Sequence, residues 1–391
     1  MKSSANNSTR PVKYFEPAIG EPEISAVAEV MRSGWLTTGA TTNKFEELFA
    51  SAVGADHAVA LNSATAALHL ALVALGIGTG DEVLVPTLTF AATAEVVFYV
   101  GATPVLCDVE PSTLNISLED AESRITERTA AIMPVHYGGQ SVDLNGVRSL
   151  AAKHGLAIIE DAAHAFPASY EGEPIGSKST AACFSFYANK TITTGEGGML
   201  VTNSVDIANR VRRLSLHGLS RDAWRRWDTA AKWEYDIAEI GYKTNLTDIA
   251  SAIGIVQLDK AEHLRAKRQL VAEIYTDRLD SIAATTTTSV TSPEDCAWHI
   301  FPLLLEGQTV RDRRDSLIDF LGSREIGTSV HYKPLHLHSA YLEKEEGNSY
   351  PVSDRYFDTG LSLPIHPGMS TEDTHRVMDL VEEFQSKQSD G

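Results

Sequence analysis

Residues 57–86 read HAVALNSATAALHLALVALGIGTGDEVLVP and contain a strand, a helix and a second strand in that order. The apolar run His57–Leu61 and the run at 83–86 have the length, and the flanking turn or charged residues, of buried strands. Between them, Ala64–Leu75 is typical of a helix. Strands that alternate with helices form βαβ units, so this stretch predicts an α/β protein with a mainly parallel sheet.

The same alternation continues to about residue 215. Further strand-like runs lie at 104–109, 130–135, 156–160, 182–186 and 199–202, and helical patterns lie at 91–100, 143–154 and 206–215. We therefore predict a large domain over residues 11–255, with helices flanking the sheet.

The pattern changes near Thr247. Thr247 and Asp248 are suited to cap one long helix that runs towards Leu279. It is followed by strand patterns at 298–305, 328–332 and 361–365 and by helical patterns at 311–321 and from Thr371. These elements predict a smaller α+β domain over residues 256–391. Because the boundary lies in a helix, we expect the two domains to pack rigidly.

The charge of the chain excludes several classes of partner. Among 391 residues, 33 Lys and Arg stand against 52 Asp and Glu, a formal net charge of −19 at pH 7. A chain this acidic, without a block of positive charge, repels nucleic acids and anionic membrane surfaces. The first residues lack the apolar core of a signal peptide, and no apolar run reaches the roughly 18 residues of a membrane helix. We expect a cytoplasmic protein.

The cysteines and the common catalytic motifs argue against a metal. Cys107, Cys183 and Cys296 are far apart and form no CxxC pair, which disfavours a zinc site or a disulfide framework. No GxSxG, HExxH or Walker-type lysine loop is present, and the glycines of residues 76–80 follow a helix instead of a strand. We predict no metal site.

A possible phosphate site lies at residues 62–68, which follow a strand and open a helix. The hydroxyls of Ser63 and Thr65 and the free N–H groups of the first helical turn are suited to hold an anion. The alternative is an ordinary helix cap that binds nothing.

Two acidic residues, Glu160 and Asp161, end a buried strand, where α/β proteins place ligand chemistry. A carboxylate at this position can pair with a cationic ring nitrogen of a cofactor. The alternative is that both acids simply face solvent at the end of the strand.

Lys190 lies just after another buried strand and before a polar, glycine-containing turn. A desolvated lysine amine is a nucleophile that forms Schiff bases with carbonyl compounds. The alternative is a surface lysine whose aliphatic stem alone is covered.

Taken in order, the motifs along the chain resemble the DegT/StrS family of nucleotide-sugar aminotransferases, which use pyridoxal 5′-phosphate (PLP) and have the aspartate aminotransferase-like fold (fold type I). The segments that carry the resemblance are SGWLTTG at 33–39, GDEV to TF at 80–90, PVHYGG at 134–139, EDAAHA at 160–165, residues 184–198, HG at 217–218 and GYKTNLTD at 241–248. Each motif is modest alone, but together they cover nearly the whole chain.

The resemblance implies a role for each residue at the cofactor. Lys190 is implied to bind PLP covalently and then to move a proton, and Asp161 to pair with the pyridine nitrogen. Phe90 is implied to stack on one face of the ring and Ala163 to fill the other. His164 is implied to donate a hydrogen bond to the phenolic oxygen. The implied phosphate contacts are Ser63, Ala64, Thr65 and Ser185.

One departure concerns Lys243, because many family members have asparagine at this position and use it to reach the cofactor phosphate of the neighbouring subunit. Lys243 either contacts phosphate as a cation or leaves that contact to Asn245. The variant resembles the branch of 4-amino-4-deoxy-arabinose aminotransferase, which implies amination at C4. The expected reaction transfers an amino group from L-glutamate to a nucleotide-linked 4-keto sugar.

The substrate contacts implied by the resemblance are Trp35, Thr37, Glu196, His217, His331 and Tyr332. The cofactor motifs leave open a sugar 3-aminotransferase. A sugar dehydratase of the family has histidine in place of the lysine, and a non-catalytic regulator need keep neither Lys190 nor Asp161. Both residues are present in this chain, which argues against the last two alternatives.

A homodimer with shared active sites is the expected assembly. The loop 217–245 is rich in residue types enriched at interfaces, with the alternative that it merely covers the domain surface. These residues are Trp224, Arg225, Arg226, Trp227 and Trp233. A nucleotide diphosphate also needs local cations, for which the candidates are Arg221, Lys243, His331 and Lys333.

Overall fold

The computed structural model describes residues 10–219, 236–290, 292–307, 310–342, 345 and 347–389. Its strands are β1 His57–Leu61, β2 Glu82–Pro86, β3 Thr103–Cys107, β4 Thr129–Ile132, β5 Ala157–Asp161, β6 Ser169–Tyr170, β7 Glu173–Pro174, β8 Ala181–Ser185, β9 Gly198–Thr202, β10 Thr285–Thr286, β11 Phe301–Leu305 and β12 Gly360–Leu363. Its α-helices are α1 Glu21–Ser33, α2 Ala40–Val53, α3 Ala64–Leu75, α4 Ala92–Tyr99, α5 Leu118–Ser123, α6 Leu144–His154, α7 Val205–Leu214, α8 Asp248–Asp259, α9 Ala261–Leu279, α10 Val310–Gly322, α11 Pro351–Thr359 and α12 Thr371–Ser389.

The main sheet has seven strands in the order β1-β9-β8-β5-β4-β2-β3. Only β9 runs against the others, pairing antiparallel with both β1 and β8. The remaining neighbours pair in parallel. The predicted mainly parallel sheet is therefore confirmed, and the carboxyl ends of β1, β2, β5 and β8 lie at one edge.

Helices cover both faces of this sheet because successive side chains of a strand point to opposite sides. Leu84 of β2 belongs to the core on one face of the sheet, which also contains Phe45 and Phe49 of α2 and residues of α6. Its neighbours Val83 and Val85 face the other way and belong to the core that also contains residues of α3, α4 and α7. Strands buried on both faces explain the nearly continuous apolar runs in the sequence.

The last third of the chain forms a second core around the antiparallel sheet β10-β11-β12. Side chains from α9, α10 and α12 fill it, and Val12 from the N-terminal segment packs among them. These elements agree with the predicted smaller α+β unit. The division into residues 11–255 and 256–391 stays a prediction.

The prediction of one long helix from Asp248 to Leu279 was wrong in one respect, because the structure divides that helix at Lys260. Thr247 does cap it, since its side chain accepts a hydrogen bond from Ala250 N. The Lys260 N–H bonds to Gln257 O, three residues back, so the last turn of α8 tightens and α9 begins at Ala261. The Lys260 ammonium also pairs with Glu23 of α1, which ties the junction of α8 and α9 to α1.

The strand expected at 328–332 was also wrong. Only Ser329 forms a bridge, with Ser362 of β12. Beyond Ser329 the chain leaves the sheet, so that His331 and Tyr332 reach the wall of a cavity in the main unit. The strand expected at 298–305 begins only at Phe301.

Among the described residues, no helix is both long and apolar enough to cross a membrane. The tryptophans and arginines of the expected interface loop, from Arg221 to Trp233, lie outside the described residues.

Candidate active site

A cavity of about 380 Å³ opens at the sheet edge where β1, β2, β5 and β8 end. Its volume is in the range of sites for cofactors and other small molecules. The sequence-predicted residues that line it are Ser63, Ala64, Thr65, Phe90, Asp161, Ala163, His164, Ser185, Lys190, Glu196, His331 and Tyr332. Because the carboxyl ends of parallel strands meet at one edge, motifs far apart in sequence converge here.

The start of α3 forms one wall of this cavity. Ser63 caps the helix, and its hydroxyl oxygen accepts a hydrogen bond of 3.1 Å from Ala66 N. β9 lies directly against this turn, because a Cβ atom on Gly198 would overlap the Ser63 carbonyl and the Ala64 nitrogen. Gly198 pairs in the sheet with Ser185, which brings that hydroxyl to the same wall. N–H groups of a first helical turn and the helix dipole suit a phosphate.

Asp161 lies at the end of β5 and is only 5% exposed. Its carboxylate accepts hydrogen bonds from Thr93 Oγ1 at 2.8 Å and from Ala163 N at 3.1 Å. Burial raises its pKa, and these two donors oppose that shift. The carboxylate thus has neutral donors in this pocket, so a cationic ring nitrogen would supply the charge that it lacks.

Glu160, the other acid of this motif, has a structural role. It is fully buried, so the solvent-facing alternative does not apply to it. Its carboxylate contacts Ser179 and lies 2.8 Å from His136 Nε2. Since His136 Nδ1 accepts a hydrogen bond from Val142 N, the imidazole hydrogen is on Nε2 and is donated to Glu160.

Lys190 has an environment that favours the neutral form of its amine. Burial lowers the pKa of this lysine to about 7, Asp161 opposes the shift, and the Arg268 charge adds to it. The Lys190 Nζ atom lies 3.3 Å from His299 Nε2. A neutral amine beside a cavity is the state that attacks a carbonyl group.

His164 lies between the cavity residue Tyr332 and the ring of His299. The His164 Nε2 atom lies 3.0 Å from the Tyr332 hydroxyl, and the ring of His299 packs against the His164 ring with centroids 4.4 Å apart. Burial lowers the pKa of both histidines well below the usual value, so both are neutral near pH 7. The Phe90 ring lies 6.0 Å from that of Tyr332.

His299 reaches Lys190 because residues 297–300 dock on a glycine pair. The N–H groups of His299 and Ile300 both donate to Gly138 O, at 2.8 and 3.1 Å. Gly139 has φ +97°, and a Cβ atom there would lie 3.0 Å from His164 O and from Trp298 N. The PVHYGG motif thus serves to join the second core to the cavity.

Comparison with known proteins identifies this cavity. The model of the DegT/DnrJ/EryC1/StrS aminotransferase family matches residues 17–382. The chain belongs to this family. It is 42% identical over 375 residues to the spore coat polysaccharide biosynthesis protein SpsC of Bacillus subtilis, covering 95% of this chain and 96% of SpsC. It is 43% identical over 375 residues to an uncharacterised protein of Methanocaldococcus jannaschii, covering 95% and 97%.

Solved structures of sugar aminotransferases share the fold. The PLP form of the putative sugar aminotransferase Spr1654 from Streptococcus pneumoniae superposes with a TM-score of 0.89 at 32% identity, covering 97% of this chain and 99% of that chain. PseC of Helicobacter pylori gives a TM-score of 0.90 at 29% identity, covering 97% and 100%. The fold is therefore that of PLP fold type I, and the protein is a PLP-dependent sugar aminotransferase.

The residues of the cavity fit PLP. The cavity offers a helix start for a phosphate, a buried carboxylate with neutral hydrogen-bond donors for a pyridinium, and a lysine amine with a lowered pKa for an aldehyde. When PLP is bound, its protonated ring withdraws electrons from the substrate carbon that loses or gains a proton. Ser63 to Thr65, Asp161 and Lys190 are the groups that would hold it.

Five predicted residues lie outside the cavity wall: Trp35, Thr37, His217, Lys243 and Asn245. The indole nitrogen of Trp35 donates to Thr38 O at 3.2 Å, and Thr37 O accepts from Asp248 N. Lys243 Nζ bonds to Asn245 Oδ1 within the same chain, and Asn245 Nδ2 lies 2.6 Å from Thr38 Oγ1. His217 is exposed, and its N–H donates to Tyr242 O.

These outlying segments nevertheless lie near the cavity. The N–H of Asn62, which directly precedes Ser63, donates to Thr244 O at 2.7 Å. Asn245 also forms a bridge with Leu61 of β1. The segment 243–245 therefore runs beside the start of α3 in its own chain.

Sequence reasoning missed Thr93, His299 and Arg268. Thr93 follows Phe90 by three residues at the start of α4, so the hydroxyl beside the 80–90 motif was a usable signal. His299 lies 109 residues from Lys190 in the chain, and no local pattern marks it. Arg268 has the appearance of an ordinary helical arginine until the structure buries it.

Proposed function

We propose that this enzyme transfers an amino group from L-glutamate to a nucleotide-linked 4-keto deoxysugar, in the biosynthesis of amino sugars for cell-surface polysaccharides or glycosides. The observation that carries the proposal is that Lys190, Asp161 and the Ser63–Thr65 turn line one cavity. The roles of two relatives support the pathway type: spore coat polysaccharide biosynthesis for SpsC and pseudaminic acid biosynthesis for PseC.

Lys190 is the proposed catalytic residue. Its amine would hold the cofactor through the aldehyde carbon, and once the amine of the donor had displaced it, the free lysine amine would remove and return the proton at the reacting carbon. The lowered pKa supports this role, since about half of the amine is neutral at pH 7. Asp161 is proposed to hold the ring nitrogen in its protonated form.

The remaining cofactor contacts follow from their places around the cavity. Ser63, Ala64, Thr65 and Ser185 are proposed to bind the phosphate. Phe90 and Ala163 are proposed to lie on opposite faces of the ring. His164, whose Nε2 contacts Tyr332, is proposed to orient the phenolic oxygen side of the cofactor.

The sugar is proposed to lie between the cofactor and the outer wall made by Glu196, His331 and Tyr332. Lys190 supplies the one lysine or arginine among the described residues that line the cavity. A nucleotide diphosphate and glutamate carboxylates need further cations. This supports a homodimer in which the partner subunit adds Lys243 and Asn245 to the site, with Trp35, Thr37 and His217 near the sugar.

The proposed location is the cytoplasm. Cys107, Cys183 and Cys296 are all buried free thiols, which is consistent with a reducing compartment.

Incubation with UDP-, dTDP- and GDP-linked 4-keto and 3-keto sugars, each with L-glutamate, tests the reaction. Mass spectrometry should detect the amino sugar nucleotide together with 2-oxoglutarate, and the Lys190→Ala variant is the blank. NMR of the product locates the new amino group. An amino group at C3 would refute the 4-keto assignment and leave the aminotransferase intact.

A further inference from the structure

Arg268 is a buried cation in the second core, outside the wall of the cavity. It lies on α9 and is only 2% exposed. Among the described residues no carboxylate forms an ion pair with its guanidinium, whereas buried charges in proteins are normally paired. A buried and unpaired arginine calls for a reason beyond packing.

The guanidinium binds three backbone carbonyl groups. Its NH1 nitrogen donates to Ile365 O at 2.7 Å and to Trp298 O at 3.3 Å, and its NH2 nitrogen contacts Asn189 O at 3.4 Å. The short bond to Ile365 anchors the group. The planar fork of arginine then fixes the directions of the other two contacts, which a lysine cannot do.

Two of these carbonyls belong to the residues that directly precede Lys190 and His299. Asn189 O and Trp298 O therefore both contact the rigid guanidinium. The side chains of the next residues, Lys190 and His299, lie 3.3 Å apart at Nζ and Nε2. The Gly138 carbonyl holds the His299 backbone from the other side. Arg268 is thus the group that joins the backbone of the lysine loop to that of the histidine segment.

The charge of Arg268 also acts on Lys190. Burial lowers the pKa of Arg268 to about 10, so it remains a cation at neutral pH. The titratable groups near Lys190 are Asp161, Arg268, His164, His299 and His331, and the Tyr332 hydroxyl lies 3.0 Å from His164. Burial keeps the three histidines neutral by lowering the pKa, to about 4 for His331, and keeps Tyr332 protonated. Asp161 and Arg268 therefore set the charge balance at the amine.

We propose that Arg268 is a positioning residue for the amino transfer: it holds Lys190 against His299 through the two backbone carbonyls, and its charge favours the neutral amine. This inference rests on the proposed role of Lys190. Such a device suits a lysine that must be a nucleophile in one step and a base in the next.

The test measures the pKa of the Lys190 amine in the apoprotein, without substrate. Fluorodinitrobenzene reacts with the neutral amine. Peptide mapping at a series of pH values gives the labelling rate of Lys190, and the midpoint of that rate against pH is the pKa of the amine. We expect a wild-type midpoint near 7 and, for Arg268→Gln, a midpoint raised by about one unit, which slows labelling at pH 7 by about fivefold. The control is Arg265→Gln, one turn earlier on α9, whose side chain pairs with Glu262. It should keep the wild-type midpoint.

Arg268→Lys tests the positioning part and protects against a misfolded glutamine variant. Thermal melting establishes that it is folded. Loss of the fork should lower kcat at least about tenfold while KM for the donor stays within about threefold, because substrate contacts are untouched. A wild-type midpoint in Arg268→Gln, or a wild-type kcat in Arg268→Lys, overturns the proposal. Borohydride mapping of PLP to another lysine would instead refute the role of Lys190.

Discussion

The hydroxyl of Thr93 donates a 2.8 Å hydrogen bond to the buried carboxylate of Asp161. This bond uses the hydrogen of the Thr93 hydroxyl. The Thr89 hydroxyl, 2.8 Å from that of Thr93, therefore donates to Thr93 in turn. A relay of two threonines thus runs from the loop after β2 into α4; it orients the Asp161 carboxylate and opposes the rise in pKa that burial causes. Hydrogen bonds to an ionised acceptor contribute about 1.5–3 kcal/mol each.

Thr93→Val should weaken PLP binding by about tenfold, because the variant keeps the shape of the side chain and removes the donor to Asp161. Titration of apoprotein with PLP, followed by absorbance, measures the dissociation constant. Thr93→Ser, which keeps the hydroxyl, is the control and should bind PLP as the wild type does. Equal affinity in the valine and serine variants would contradict the relay.

Borohydride reduction of the holoenzyme should place a pyridoxyl group on Lys190, because this amine lies at the cavity wall and burial lowers its pKa to about 7. Peptide mapping by mass spectrometry identifies the labelled lysine. Lys190→Arg should abolish transamination and leave circular dichroism unchanged. A pyridoxyl group on any other residue would refute the assignment.

The rate at which apoprotein binds PLP should rise with pH through about 7 and level off above 8. A lysine is neutral above its pKa, and burial has moved the pKa of Lys190 down from 10.5 to about 7. Stopped-flow absorbance at a fixed PLP concentration gives the profile. A rate that still climbs between pH 9 and 10 would show an ordinary exposed lysine instead.

Gly139→Ala should lower both stability and activity, since φ is +97° and the new methyl would press on His164 O and Trp298 N. We expect a loss of about 1–3 kcal/mol in the free energy of unfolding. Gly172→Ala is a matched control, because φ is +79° with nothing within 4 Å of the added Cβ. It should melt slightly lower and keep full activity. Thermal melting and kcat measured on both variants show whether stability and activity depend on the docking of residues 297–300 on Gly139.

The main sheet and the meeting of Asp161 with Lys190 were predictable from sequence. Asp161 ends one apolar run and Lys190 follows another, and parallel strands carry such ends to one edge. Packing of the second core on the first was not predictable, and it is this packing that places His299 and Arg268. The Asn189–Arg268 contact spans 79 residues, and an arginine on a helix gives no sign that its partners are carbonyls.

The strand expected at 328–332 shows how a local pattern can mislead. Thr328, Val330 and Tyr332 alternate as in a strand, yet only Ser329 pairs with β12. The Tyr332 ring instead packs near Phe90 and His164 in the cavity. Alternation predicts that one face of a strand is buried, but here the consecutive residues His331 and Tyr332 both line the cavity.

Mixing two inactive variants tests the shared active site. If Lys243 and Asn245 serve the partner's cofactor, Lys190→Ala chains combined with Lys243→Ala/Asn245→Ala chains should regain activity, because each mixed dimer holds one intact site. Random pairing makes half of the dimers mixed, so about a quarter of wild-type activity is the ceiling. Each variant alone, after the same unfolding and refolding, is the control.

The structure makes the opposite result informative as well. Thr244 O bonds to Asn62 N beside Ser63 of the same chain, so the segment is also placed to support its own phosphate site. In that case the double variant damages its own site, the Lys190→Ala chain has no amine, and no mixed dimer is active. Light scattering that shows a dimer, with no regained activity, would therefore assign Lys243 and Asn245 to their own subunit and refute the sharing of sites.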